Sequence, residues 1–233
     1  RPEPGGSLMD LGLTGTRALV TAASQGLGRA CAASLAAEGA RVVISSRGGE
    51  RLAAAAEEIG AAGAVAADLA VAADVASLVD RAVELLGGLD VLVVNCGPPP
   101  AVTFAQSGDE EWDAAHEGVL MSAIRLSRAA LPHLRASGRG RIVNLTGYGT
   151  KEPTAGLVVS EATRASVTVL AKVLADDVAA DGVTVNNIAP GPILTDRLRE
   201  LQGKAAAQSG VELDEQLRRV QGGAIVVDMR RLT

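Results

Sequence analysis

Aromatic side chains are almost missing from this chain: Phe104, Trp112 and Tyr148 are the three in 233 residues. The core must therefore be aliphatic, and Ala, Val and Leu are there to build it. Cysteine is nearly as scarce. Cys31 and Cys96 fall in a predicted helix and at a predicted strand end, and their spacing fits neither a metal site nor a disulfide framework. Each reads as a small buried hydrophobe. No Lys/Arg run occurs, and a formal net charge of −5 with a pI near 5.2 argues against a nucleic-acid partner. No stretch reaches the roughly 18 continuous apolar residues of a membrane span, and no charged-then-apolar signal pattern is present. These absences leave a soluble cytoplasmic protein as the expectation. With 48% apolar and 21% charged residues, the chain can bury a sizeable core.

What is present is an alternation. Short apolar runs at 18–21, 41–45, 64–67, 91–95, 141–145, 184–188 and 224–228 predict strands. Helical patterns fall between and after them, at 27–38, 49–60, 74–87, 110–135, 157–181 and 195–208, with a short one near 213–220. Runs without polar alternation belong to strands covered on both faces, and strands alternating with helices make βαβ units. The expectation is an α/β fold, a doubly wound parallel sheet of about seven strands with helices on both faces. Arg1–Leu8, rich in Pro, Gly and Ser ahead of Met9, reads as a leader or expression remnant, and 9–233 as a single domain.

Ligands of such sheets bind beyond the carboxyl ends of the strands, at the switch point. The unusual residues gather at those ends. After the first strand comes Thr21-Ala-Ala-Ser24-Gln25-Gly26-Leu27-Gly28, a glycine turn opening a helix. Such a turn lets backbone approach a dinucleotide pyrophosphate at a positive helix end; alone, it also fits a plain tight βα turn. Ser46-Arg47 ends the second strand, where an NAD site carries a carboxylate for the ribose 2′-OH. An Arg fork suits a 2′-phosphate instead, so NADP(H) is favoured over NAD(H), against the alternative of a solvated surface Arg. Asp68-Leu69, Asn95-Cys96-Gly97-Pro98, Thr146-Gly147-Tyr148 and Ala189-Pro190-Gly191-Pro192 complete the rim.

These motifs together resemble the short-chain dehydrogenase/reductase family from about Leu13 to Leu198, and within it the 3-oxoacyl-carrier-protein-reductase-like group. Thr21–Gly28 is similar to its Thr-Gly-x-x-x-Gly-x-Gly fingerprint, with Ala22 in place of the first glycine. Asp68-Leu69 resembles its adenine-contacting pair, and Val94-Asn95-Cys96-Gly97 its Asn-Asn-Ala-Gly element. Val185–Gly191, with Ile193 and Thr195, resembles the segment that closes over the nicotinamide. The resemblance implies a Rossmann-type fold and a nicotinamide cofactor. It also implies a homodimer or homotetramer packed through helices 110–135 and 157–181, where Gly156, Ala162, Ala165 and Ser166 permit close approach.

The catalytic positions depart from the family pattern. Gly147 stands in the Ser slot, Ser160 in the Tyr slot, Arg164 in the Lys slot and Val119 in the Asn slot. Carbonyl reduction needs a proton donor near the developing alkoxide. A Ser hydroxyl is a far weaker acid than a Tyr beside an ammonium, and Arg does not deprotonate in proteins. Arg164 keeps a charge that can hold ribose hydroxyls. Ser160 and Arg164 read equally well as a satisfied helix pair or as ligand contacts. Tyr148 and Lys151 offer a relocated acid and its tuning group; the bland alternative is a loop Tyr over the pocket and a solvated Lys. His116, His133 and Cys96 read as packing or surface residues. Toward the end, Arg218–Ala224 runs straight into Ile225–Asp228, where the family has a further helix, so the substrate lid reads as incomplete.

The resulting expectation is an NADP(H)-dependent oxidoreductase of the ketoreductase or alcohol dehydrogenase type, with an atypical acid–base site and a small-molecule or acyl substrate. The alternatives are a catalytically degenerate protein that binds a dinucleotide or acyl ligand, and non-redox chemistry on the same fold.

Overall fold

The strand β1 (Arg17–Val20) shows how the sheet is built. Ala18, Leu19 and Val20 are all fully buried, because helices cover both faces and successive side chains point to opposite ones. Ala18 and Val20 join Val42, Ile44, Val91 and Val93 in one core. Leu19 joins Val43, Leu92 and Val94 in the other.

A computed structural model describes residues 10–223. After β1 come α1 (Gly26–Ala37), β2 (Arg41–Ser46), α2 (Glu50–Ile59), β3 (Gly63–Ala66), α3 (Ala72–Leu86) and β4 (Val91–Val94). Then follow α4 (Asp109–Ala115), α5 (Ser122–Ser137), β5 (Arg141–Leu145), α6 (Val158–Val178), β6 (Thr184–Ile188), α7 (Asp196–Ser209) and α8 (Leu213–Gly223). The strands are parallel, in the order β3-β2-β1-β4-β5-β6. Ala32 of α1 with Leu52 and Ala55 of α2 packs one face. Leu78 of α3, Leu126 of α5 and Val167 of α6 pack the other. Strand order reverses between β1 and β4, so the loops leaving these two strands face each other across the crevice of the sheet.

Two expectations are corrected. The described sheet has six strands, not about seven; the run 224–228 lies outside the described residues, as does the leader 1–8. The helix expected over 110–135 is not continuous. A π-helical turn at His116–Met121 separates α4 from α5. The Ser122 hydroxyl donates to the carbonyls of Gly118 at 2.8 Å and Val119 at 3.0 Å, which holds the widened turn together. Among the described residues no helix is long and apolar enough to cross a membrane.

The amino ends of the strands are tied by one carboxylate. Asp90, just ahead of β4, has a side chain only 2% exposed. It accepts from Arg17 through the backbone N at 2.8 Å, Nε at 3.0 Å and Nη2 at 2.7 Å, and from Arg139 Nη2 at 3.3 Å. Its own N donates to Arg17 O and its O accepts from Arg141 N, so β1, β4 and β5 meet at this residue. Hydrogen bonding from the Arg17 guanidinium, outweighing desolvation, holds the Asp90 carboxyl well below the usual carboxylate range.

Candidate active site

The glycine turn is stitched to the facing strand. The Thr21 hydroxyl accepts from Asn95 N at 2.9 Å and lies 2.7 Å from Asn95 O, to which it donates. Asn95 Nδ2 donates to Ala22 O at 3.1 Å, and Ala23 N donates to Ser45 O at 2.8 Å. The turn is thus fixed by β4 on one side and β2 on the other. Gly28 sits in the tightest place. A Cβ there would lie 2.6 Å from Ala22 O and 2.7 Å from Asn95 Nδ2. Gly26 opens onto free space, with no atom within 4 Å of a Cβ.

Ala22 carries φ 47°, the one non-glycine residue in the left-handed region among those described. A Cβ in that region is strained by roughly 1–2 kcal/mol. Ala22→Gly is therefore expected to stabilise the protein by about 1 kcal/mol after the entropy of the freer unfolded chain is offset. Thermal unfolding should show a Tm higher by roughly 2–4 °C.

The structure brings Ser24, Gln25, Gly26 and Leu27 to the amino end of α1, whose first turn holds no acid. Arg47 follows β2, exposed, and the Ser46 hydroxyl accepts from Gly48 N at 3.5 Å. Arg51, which the sequence did not single out, donates from Nη1 to Gln25 Oε1 at 2.7 Å. The two residues are 26 apart in sequence, and no local pattern announces the contact. Asp68 spends its carboxylate on its own loop, accepting from Ala70 N at 3.0 Å. The Leu69 side chain is buried in the core.

Beyond β4 and β5 lies a small, narrow cleft lined by Val94, Cys96, Val119, Asn144, Thr146 and Arg164 among others. Val119 enters it from the π-helical turn. Arg164 is pinned along its edge. Nη1 donates to Leu145 O at 2.9 Å and Thr146 O at 3.2 Å, and Nε to Ser160 Oγ at 3.3 Å. Ser160 and Arg164 are thus a bonded pair, with the guanidinium over the carboxyl end of β5.

Tyr148 and Lys151 sit on the loop after β5. Tyr148 is 39% exposed, and its hydroxyl lies 3.2 Å from Thr154 Oγ1. Lys151 is exposed; it meets Tyr148 through the backbone, Lys151 N donating to Tyr148 O at 2.8 Å. Glu161 of α6, missed in the sequence, holds this loop. Its Oε2 accepts from Thr154 N at 2.8 Å, and its carboxylate fills the space beside Gly149. Tyr148 N donates to Pro190 O at 3.0 Å, joining the loop to the Pro190-Gly191 segment. Ile193 O accepts from Thr195 N at 2.8 Å, and Thr195 Oγ1 caps α7 by accepting from Leu198 N at 3.3 Å. Gly97 is exposed beside the cleft residue Cys96. His116 is exposed and His133 half-buried.

Known proteins share this architecture. The family model for short chain dehydrogenase matches residues 16–206. The uncharacterized oxidoreductase YvrD of Bacillus subtilis is 33% identical over 209 residues, covering 88% of this chain and 79% of that one. The 3-oxoacyl-[acyl-carrier-protein] reductase FabG of Escherichia coli is 34% identical over 188 residues, covering 80% and 77%. Among solved structures, L-sorbose reductase from Gluconobacter frateurii, in complex with NADPH and L-sorbose, superposes with a TM-score of 0.89 at 31% identity over 96% of this chain and 89% of that one. With its glycine turn, sheet order and cleft in the places the sequence motifs require, the chain belongs to the short chain dehydrogenase family of oxidoreductases.

Proposed function

We propose that the chain is an NADP(H)-dependent oxidoreductase of carbonyl or alcohol substrates whose acid–base site departs from the family's Ser–Tyr–Lys arrangement. The observation that carries this reading is the glycine turn after β1, fixed to the end of β4. Thr21 is bonded to Asn95, and Gly28 packs so closely on Ala22 O and Asn95 Nδ2 that a single Cβ would meet both. At its flank, Arg47 follows β2 where an NAD site has an acid. The likeness to a sorbose reductase solved with NADPH adds support. The turn from Thr21 to Gly28 would hold the pyrophosphate, Ser46 and Arg47 the adenine ribose, Asp68 and Leu69 the adenine edge, and Asn95–Gly97 with Pro190–Thr195 the nicotinamide half. When bound, the nicotinamide supplies or accepts the hydride, and the protein supplies position and the proton.

The groups beside the cleft divide that work. Arg164 cannot release a proton, but its charge, fixed by two backbone carbonyls, stabilises negative charge developing on a substrate oxygen or orients ribose hydroxyls. Ser160 accepts from Arg164 Nε, which leaves its own O–H free to donate. Tyr148, on the loop joined to Pro190, is the proton donor, with Lys151, three residues on, as the cation of that loop. Tyr148→Phe is expected to lower kcat by about 10²–10⁴-fold, with NADPH affinity unchanged by calorimetry. Undiminished turnover would remove Tyr148 from the chemistry. The second reading, a ligand-binding protein without turnover, is favoured by one contact: the Tyr148 hydroxyl faces Thr154, not Lys151. NADPH binding with no turnover across a panel of ketones and alcohols would select it.

The assembly reading is also a proposal. On α6, Val169 is 66% exposed and Val173 55%, one turn apart beyond the exposed Ala162 and Ser166. An unpaired apolar stripe of this kind suits a second copy of the chain. Light scattering is expected to give the mass of a dimer or tetramer, and Val169→Glu with Val173→Glu to give a monomer. The cytoplasm is the compartment we infer for it.

A further inference from the structure

We propose that Arg51 is a second reader of the ribose 2′-phosphate, held over the glycine turn by Gln25 and acting together with Arg47; this rests on the NADP(H) reading above. Arg51 lacks an acidic partner among the described residues. Arg29, one turn into α1, is neutralised by Glu58 of α2. Arg51, also on α2, reaches the start of α1 and there meets the neutral amide oxygen of Gln25 at 2.7 Å. A carboxylate partner would cancel the charge, whereas an amide oxygen fixes its position and leaves it whole. Among the described residues neither Arg51 nor Arg47 has a carboxylate within ion-pair distance.

The backbone sets the two arginines close together in the chain. Gly48 and Gly49, with φ 99° and 86°, turn the chain directly from Arg47 into α2. Arg51 therefore lies in the first turn of that helix, four residues after Arg47. The third contribution is α1 itself. Gln25 is its N-cap residue, makes no side-chain cap bond and is followed by no acid in the first turn, so the helix end keeps its free N–H groups and positive dipole. An uncompensated guanidinium held at an uncapped helix end, with a second unpaired arginine four residues before it in the chain, suits a dianionic phosphate monoester, because a fork of N–H donors pairs with its oxygens. A bare hydroxyl gains nothing comparable from the second charge. Gln25 is then a positioning residue, and Arg51 a specificity-determining one.

The test compares two adenine nucleotides that differ by the 2′-phosphate alone. Calorimetry measures the affinity of the full chain for 2′,5′-ADP and for 5′-AMP, and of the Arg51→Ala, Arg51→Lys and Gln25→Ala variants for both. Arg51 and Gln25 make an exposed contact, and thermal unfolding confirms that each variant is folded. Arg51→Ala is expected to weaken 2′,5′-ADP by about tenfold and leave 5′-AMP unchanged, with Arg51→Lys intermediate. Gln25→Ala is expected to weaken 2′,5′-ADP by roughly twofold to threefold, a smaller loss because the charge stays and only its placement relaxes. If the wild type prefers 2′,5′-ADP and Arg51→Ala keeps that preference, the role of Arg51 is overturned while the cofactor reading stands. If the wild type binds the two equally or binds neither, the NADP(H) reading itself fails, and this inference with it.

Discussion

Asp90→Ala is expected to destabilise the protein by about 3–5 kcal/mol, the usual result of removing one partner from a buried ion pair. The carboxylate takes hydrogen bonds from Arg17 and Arg139 while almost wholly shielded from water. Without it the Arg17 guanidinium and backbone N lose their acceptor at the point where β1, β4 and β5 begin. The effect carries a pH signature. The native carboxyl titrates below its unfolded counterpart, whose value is ~3.9. As pH falls, the unfolded chain takes up the proton first, so the contribution is complete above about pH 4 and is lost as pH drops through the lower native value. The urea midpoints of wild type and variant should therefore differ by a constant amount from pH 7 to about pH 5 and converge in more acid solution. A gap still undiminished at about pH 2 would mean that packing, not charge, carries the effect.

Gly28→Ala is expected to abolish cofactor binding at ordinary concentrations, with a loss of about 100-fold or more in NADPH affinity. The added Cβ meets Ala22 O at 2.6 Å and Asn95 Nδ2 at 2.7 Å. Those two atoms are bonded to each other at 3.1 Å, so relieving the clash means parting the turn from β4. Overpacking of this kind destabilises by about 1–3 kcal/mol, and urea unfolding reads that loss separately. Calorimetry on the folded variant decides the matter. A Gly28→Ala protein with near wild-type NADPH affinity would show that the close approach at this turn is not what the cofactor needs.

The βαβ pattern was legible because strands buried on both faces must be continuous apolar runs, and Ala18–Val20 or Val91–Val94 can be little else. The rim of strand ends followed from that pattern. The break at His116–Met121 was not legible, since the residues on either side of it keep helical backbone, and its stabiliser is a hydroxyl at Ser122. Asp90 was missed for a different reason. Its partner Arg17 is 73 residues away, and only the strand order makes them neighbours. The same holds for Arg51 on Gln25 and for Glu161 on the Tyr148 loop. Periodicity reveals elements, whereas pairings between distant side chains appear only when the sheet is assembled.

The seam at Thr21 and Asn95 has a consequence for the order of events during folding. β1, α1, β2, α2 and β3 are contiguous in sequence, yet the glycine turn they contain is fixed through a partner 74 residues downstream. Until β4 pairs with β1, nothing accepts the Thr21 hydroxyl and nothing donates to Ala22 O. Closing so long a loop carries a large entropy cost and is slow relative to local helix formation. A nascent chain that ends before Val91 thus has every residue of the glycine turn and its tie to β2, but not the fastening to β4. The proposed nucleotide pocket comes into being when the two halves of the sheet join.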